Sequence, residues 1–328
     1  MTGKERFCRA LAGMPVDRVP RWDLEFHLFD ALGPAPLVLG YAFAALDAAA
    51  QERALRQNAE TMITVCREIG ADALTAPNGY WETAPGHPAY YWLPDGARQR
   101  QVTVLRELAG DELALVYGAS STVMPPLSDA YAQFCYQLYD APEEVDAAAR
   151  QTLASGLAAA RAARDLGVDA VLNACDIADN HGVFFSPPQL ARFWMPYLCE
   201  WAAAMRELGV YAILHSDGNL TDILDQLADS GLHGLQAIDP IAGMDIAATA
   251  ARVGDRLTLC GNIDCGLLLT GTPEEVYRVT RATVLACRER RFVLGSSNAV
   301  QQEVPVENYR ALIAAWQACV DAPAVPRD

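Results

Sequence analysis

The chain has 328 residues, 52% hydrophobic and 20% charged, with nine cysteines and 25 basic against 41 acidic side chains, for a formal charge of −16. Such a composition is that of a globular protein in water, and its acidic balance excludes nucleic acid and anionic membrane as partners. No apolar run is long enough to span a bilayer, and the cysteines come with neither a secretion signal nor regular spacing, so a cytoplasmic chain with reduced thiols is expected.

In chain order, the opening MTGKERFCRALAG reads as an amphipathic helix, followed by a first strand at 19–24. Four windows then align without gaps: REIGADALTAP, RDLGVDAVLNA, RELGVYAILHS and ADSGLHGLQAI. Each is a helix end, a terminating glycine (Gly70, Gly167, Gly209, Gly231) and a short apolar strand. With 113–117, 257–260 and 292–294 they give strand candidates at 73–75, 170–173, 211–214 and 235–238. Helix starts are predicted at Ser186-Pro187, at Thr272-Pro273-Glu274-Glu275 and after Asp140 before Pro142, and a last amphipathic helix covers 306–320. Residues 78–110 read as an irregular, aromatic-rich excursion.

Alternating strands and helices in about eight units predict an α/β protein, a (β/α)8 TIM barrel in one domain over 1–328. The doubly wound alternative wants a glycine-rich phosphate loop after its first strand, and RVPRWDLEFH has no glycine. Catalysis in such a barrel sits at the C-terminal strand ends. Those ends carry Glu25 and His27, Asn78, Ser120 and Ser121, Asp176, Asp179, Asn180 and His181, then His215 and Asp217, Asp239, CGNIDC with Asn262, and GSSN with Asn298. His215, Asp217, Glu25 and Cys260 offer imidazole, carboxylate and thiolate to a zinc-like ion. Equally, His215, Asp217, Asp176 and Asp179 could act as general acids or bases without metal. Glu25, His27, Asn78, Trp81, Tyr91, His181, Asn262 and Asn298 are the candidate substrate contacts, the aromatic ones suiting a flat apolar molecule.

The run KERFCRALAGMPVDRVPRW, the central HSDGN, then IDPIAGMDI, GDRLTLCGNID, GTPEEV and GSSNAVQQEVPVENY resemble the uroporphyrinogen decarboxylase superfamily, from about Lys4 to Trp316. The resemblance implies a (β/α)8 barrel and two kinds of activity: porphyrinogen decarboxylation, and methyl transfer with corrinoid proteins. True decarboxylases carry an arginine-rich R-Q-A-G-R segment after the first strand. This chain reads DLEFHLFDALG there, with only Arg18 and Arg21 nearby, so a polycarboxylate substrate lacks its cations. Thiol-methylating members hold zinc through H-x-C and a later cysteine. Here those positions read His215-Ser216-Asp217 and Ser296-Ser297, leaving only the histidine.

The resemblance therefore implies a corrinoid-dependent methyltransferase, with O-demethylation of a methoxylated aromatic as its most concrete form and His215 and Asp217 binding zinc or protonating the leaving oxygen. No D-x-H-x-x-G motif occurs, so the corrinoid is expected on a separate protein docking over the barrel mouth. A homodimer is compatible with the sequence. The alternatives are a cofactor-free decarboxylase using Asp176 or Asp179, and a non-catalytic ligand-binding barrel.

Overall fold

In the computed structural model, which describes residues 1–77, 93–126 and 129–320, seven parallel strands form one curled sheet. Their spatial order is Phe292–Ser296, Thr258–Ile263, Gly234–Ala237, Tyr211–His215, Ala170–Ala174, Ala114–Gly118 and Ala73–Thr75. Residues 20–22 join the two edges. Trp22 N donates to Leu294 O (2.9 Å), Leu294 N to Pro20 O (2.9 Å), and Asp72 N to Arg21 O (2.8 Å). The segment so closes the barrel as an eighth stave, although proline and the sharp bend leave it a single bridge rather than a ladder. A Cβ at Gly295 would collide with the Trp22 carbonyl oxygen, so glycine is what lets the closing segment approach the last strand.

The helices between strands follow from the predicted signals. Ala48–Ile69 and Met195–Leu208 end on Gly70 (φ 69°) and Gly209 (φ 74°), both left-handed caps. Pro273–Cys287 opens with the Thr272/Glu275 capping box, and the last helix spans Val306–Val320. Two expectations change. Asp140 closes the helix Ala130–Asp140 rather than capping the next, and Asp95–Ala109 is a helix where an irregular excursion was expected.

Side chains alternate along each strand, so one set faces the helices and the other fills the barrel. The filling is Trp22, Val116, Leu172, Ile213, Cys260 and Val293, sealed by Phe7 and Leu11 of the helix Gly3–Leu11. That helix lies under the strand starts: Lys4 N donates to Glu112 O (3.1 Å), and Thr258 Oγ1 to Ala10 O (2.8 Å). The floor is thus plugged by apolar residues, and the open end is the one where the strands finish.

Candidate functional site

His215 is the last residue of its strand, buried, and in register with Ala174 on one side and Gln236 on the other. Gln236 fixes its tautomer. The Gln236 amide nitrogen donates to the carbonyls of Ser296 and Ser297 (3.1 Å each), which turns Oε1 toward His215 Nδ1. An amide oxygen only accepts, so Nδ1 carries the hydrogen and the Nε2 lone pair is left to point away. It points at carboxylates: Asp176 Oδ1 is 3.6 Å and Asp217 Oδ1 3.9 Å from Nε2. Ligand atoms of Asp176, His215 and Asp217 all lie within 4.8 Å of one another.

The loops lock these carboxylates in place. Asp217 N donates to Asp176 Oδ1 (3.0 Å), and Asn298 Nδ2 donates to Asp217 Oδ2 (2.5 Å). Burial pushes the Asp217 carboxyl up to about 6; Asp176 and Asp239 add to the rise, while His215 and Asn298 oppose it. Two crowded carboxylates and an oriented imidazole lone pair form an environment that a cation relieves. Next to it the chain turns through Ala237 (φ 98°) and Ile238 (φ 47°), unusual backbone for residues with side chains, and so delivers Asp239 to the mouth.

Asp217 also lines a cavity of about 330 Å3, walled by Glu25, His27, Asp239, Ile241 and Cys265 and by residues 297–299 and 301. Glu25 and His27 reach it because Glu25–Phe26 pairs in parallel with Ala299–Val300, and His27 N donates to Val300 O (2.8 Å). His27 Nε2 lies 3.9 Å from Glu25 Oε2, and burial pushes the imidazole down to about 4, leaving it neutral at neutral pH. Asp239 accepts from Gly218 N (3.2 Å) and Ile241 N (3.0 Å). Cys265 Sγ accepts from Asn298 N (3.2 Å), and burial pushes its thiol up to about 11.

Other sequence candidates fall elsewhere. Cys260 lies apart from the Asp176, His215 and Asp217 group: the register row His215, Gln236, Cys260, Val293 crosses tilted strands and descends from the mouth into the floor, where Cys260 is fully buried among apolar side chains and burial raises its thiol. Glu25 stands on the cavity wall and outside the three-residue ligand group. Asp179 is exposed in the hairpin Ala178–Asp179/Gly182–Val183, its Oδ1 accepting from His181 N (2.7 Å) and Gly182 N (3.2 Å); it shapes a turn, and His181 is exposed beside it. Asn262 is buried and donates to Ile238 O (3.0 Å), supporting the bend rather than facing the cavity. Asn78, Trp81 and Tyr91 lie outside the described residues. Arg18 and Arg21 turn away from the mouth: Arg18 binds Asp72 (2.7 and 2.9 Å), and buried Arg21 donates to Tyr309 Oη (2.8 Å) and to the Ile69 carbonyl. Sequence reading passed over Gln236 and met Cys265 as the end of the CGNIDC run. The signal for Gln236 was a lone amide within an apolar strand.

A closed parallel barrel with a His/Asp group at the strand ends defines the class. The family model described as uroporphyrinogen decarboxylase (URO-D) matches residues 102–319. The chain belongs to that family. Among solved structures, a methyltransferase from Methanosarcina mazei superposes with TM-score 0.72 at 20% identity, over 97% of this chain and 99% of that one. A putative vitamin-B12-independent methionine synthase from Listeria monocytogenes gives TM-score 0.49 at 14% identity, over 84% and 89% of the two chains. N-acetylneuraminate lyase from Fusobacterium nucleatum gives 0.40 at 13%, over 78% and 67%. A comparison with the sequences of curated proteins finds no match.

Proposed function

We propose that this chain is a metal-assisted methyltransferase, moving a methyl group between a small substrate in the cavity and a corrinoid carried by a separate protein. The observation that carries the reading is the Asp176, His215 and Asp217 group, with the Nε2 lone pair of His215 aimed into it by Gln236. The donor set fits a zinc-like ion: imidazole and carboxylate are among its usual ligands, and the Gln236 contact is the outer-shell partner that metal-binding histidines have. When bound, such an ion acts as a Lewis acid on the substrate atom that the methyl group leaves or joins.

The remaining work belongs to the chain's own side chains. Gln236 holds the imidazole in one tautomer, Asn298 fixes the Asp217 rotamer, and the Asp217 amide anchors Asp176. The cavity walls orient the substrate above that group, with His27 and Cys265 both neutral at neutral pH. Membership of a family with a methyltransferase branch, and the full-length likeness to the Methanosarcina mazei methyltransferase, support the reading. A polycarboxylate porphyrinogen is disfavoured because no lysine or arginine lines the cavity among the described residues.

Decarboxylation is the second reading, and one observation favours it. With its carboxyl held at about 6, metal-free Asp217 is a proton donor near neutral pH.

The test is metal content by inductively coupled plasma mass spectrometry, on wild type and His215→Ala prepared without chelators. It is paired with a screen of methoxylated and N-methylated compounds for methyl transfer to free cob(I)alamin. We expect near-stoichiometric zinc in the wild type, its loss in the variant, and a fall in transfer of at least about a hundredfold. Normal turnover by His215→Ala, or no metal uptake by the wild type when zinc is supplied, would overturn the reading.

A further inference from the structure

The cavity wall has a sign. Among the described residues, its ionisable lining besides Asp217 is Glu25, Asp239, His27 and Cys265, with neither lysine nor arginine. Basic side chains on adjoining elements are committed away from it: Arg18 to Asp72, Arg21 to Tyr309, and Arg98 to Tyr117 Oη (2.9 Å from Nε). Residues 78–92, which connect a barrel strand to the helix Asp95–Ala109, contain no lysine or arginine either. A divalent ion held by Asp176, His215 and Asp217 would balance the two aspartates of its own group, and Glu25 and Asp239 are the further acidic side chains of the wall. In a cleft this small, walls of low dielectric focus such a field on whatever enters.

Resting on the reading above and deepening it, we propose that the substrate of this cavity is a small organic cation, of the N-methylated ammonium class, with its charge lodged between Glu25 and Asp239. Glu25 is placed for this by its two-residue ladder with the last strand's extension, and Asp239 by two backbone amides that pin both of its oxygens. The positive centre then sits on the wall, leaving the rest of the molecule to face the Asp176, His215 and Asp217 group. An anionic substrate has no counter-charge on this wall and meets two carboxylates.

Isothermal titration calorimetry of the zinc-supplied protein distinguishes the cases, using choline, its uncharged analogue with tert-butyl in place of trimethylammonium, and the matching tert-butyl carboxylate. We expect choline to bind at least about tenfold more tightly than the uncharged analogue, the carboxylate more weakly still, and added salt to narrow the gap. Glu25→Gln should remove most of the preference. Asp239→Asn is the second variant, because its amide keeps an oxygen for one backbone donor. Equal affinity for choline and its uncharged analogue, or tighter binding of the carboxylate, overturns the inference. The outcome is separable from the activity: choline preference without methyl transfer sinks the function and leaves the inference, whereas methyl transfer without charge preference does the reverse.

Discussion

The two ends of the barrel handle charge in opposite ways. At the floor the carboxylates of Asp72 and Asp169, near the strand starts, meet cations. Asp72, almost fully buried, accepts from Arg6 Nη1 (2.6 Å), from both terminal nitrogens of Arg18, and from Arg21 N (2.9 Å). Asp169 is bound by Arg106 (2.5 Å) and Lys4 (3.1 Å). At the mouth, Asp176 and Asp217 flank one buried histidine and Asp239 stands with Asp217 on the cavity wall, where no lysine or arginine is found among the described residues. The same residue type is a rivet below and, in the function proposed here, a binding group above. Buried charge that is matched within the fold does structural work, whereas the proposed function has the charge gathered at the mouth matched by a cation from outside.

The comparison breaks first at the floor if the rivets are not rivets. Asp72→Ala removes the acceptor shared by Arg6 and Arg18 and frees a peptide contact to the closing segment. Taking one partner from a buried network costs about 3–5 kcal/mol. Urea unfolding should show that loss, with the Asp176, His215 and Asp217 group unchanged in the protein that stays folded. A loss under about 1 kcal/mol would mean that Arg6 and Arg18 are satisfied without Asp72, and the floor would not differ in kind from the mouth.

A smaller effect sharpens the upper half. Gln236→Ala leaves every proposed ligand in place and removes only the acceptor that sets the His215 tautomer. Loss of such a partner lowers metal affinity about 10–100-fold. Competition against a chelator of known affinity measures it. Gln236→Glu keeps an acceptor for Nδ1 and should recover part of the affinity, which a merely structural role for Gln236 does not predict. Unchanged affinity in Gln236→Ala would show that the imidazole is held by its strand alone.

How much of this was legible beforehand depends on the range of the interactions. The strands and their helices were readable because their causes are local: Gly70, Gly167, Gly209 and Gly231 adopt positive φ at the predicted places, and the short apolar runs behind them become barrel staves. His215 and Asp217 were readable because a strand end is a local feature that the fold turns into a rim. The misplaced residues fail for a different reason. Cys260 and His215 share one register row, and only the tilt of closed strands sends one to the floor and the other to the mouth. Asp179 sits in D-N-H-G, a turn signal that outweighs its nearness to the site. Gln236 acts through Ser296 and Ser297, sixty positions on, so its role exists only after barrel closure.

The smallest expected effect concerns the acid side of the floor. His233 immediately precedes the strand Gly234–Ala237 beneath the barrel, where its Nδ1 accepts from Ala212 N (3.0 Å) and its ring packs edge-on with Tyr211. Burial, then Arg206 and Arg291, push its pKa down to about 4, against about 6.5 in an unfolded chain. The folded state therefore resists a proton that the unfolded state accepts. Stability from this group is whole above pH ~6.5, is lost as pH falls toward ~4, and falls no further below that, because the folded form then protonates too. Between about pH 7 and pH 5 the loss should be about 1 kcal/mol once solvent screening of the half-buried ring is allowed for. His27, also held near 4, adds a loss of the same sign at the mouth. Urea midpoints across that range for wild type and His233→Gln, whose amide oxygen can still accept from Ala212 N, separate the two: the variant should keep the His27 share and lose the rest. If both proteins show the same slope, acid sensitivity belongs to the mouth alone, and the floor is held by ion pairs that this range of pH does not reach.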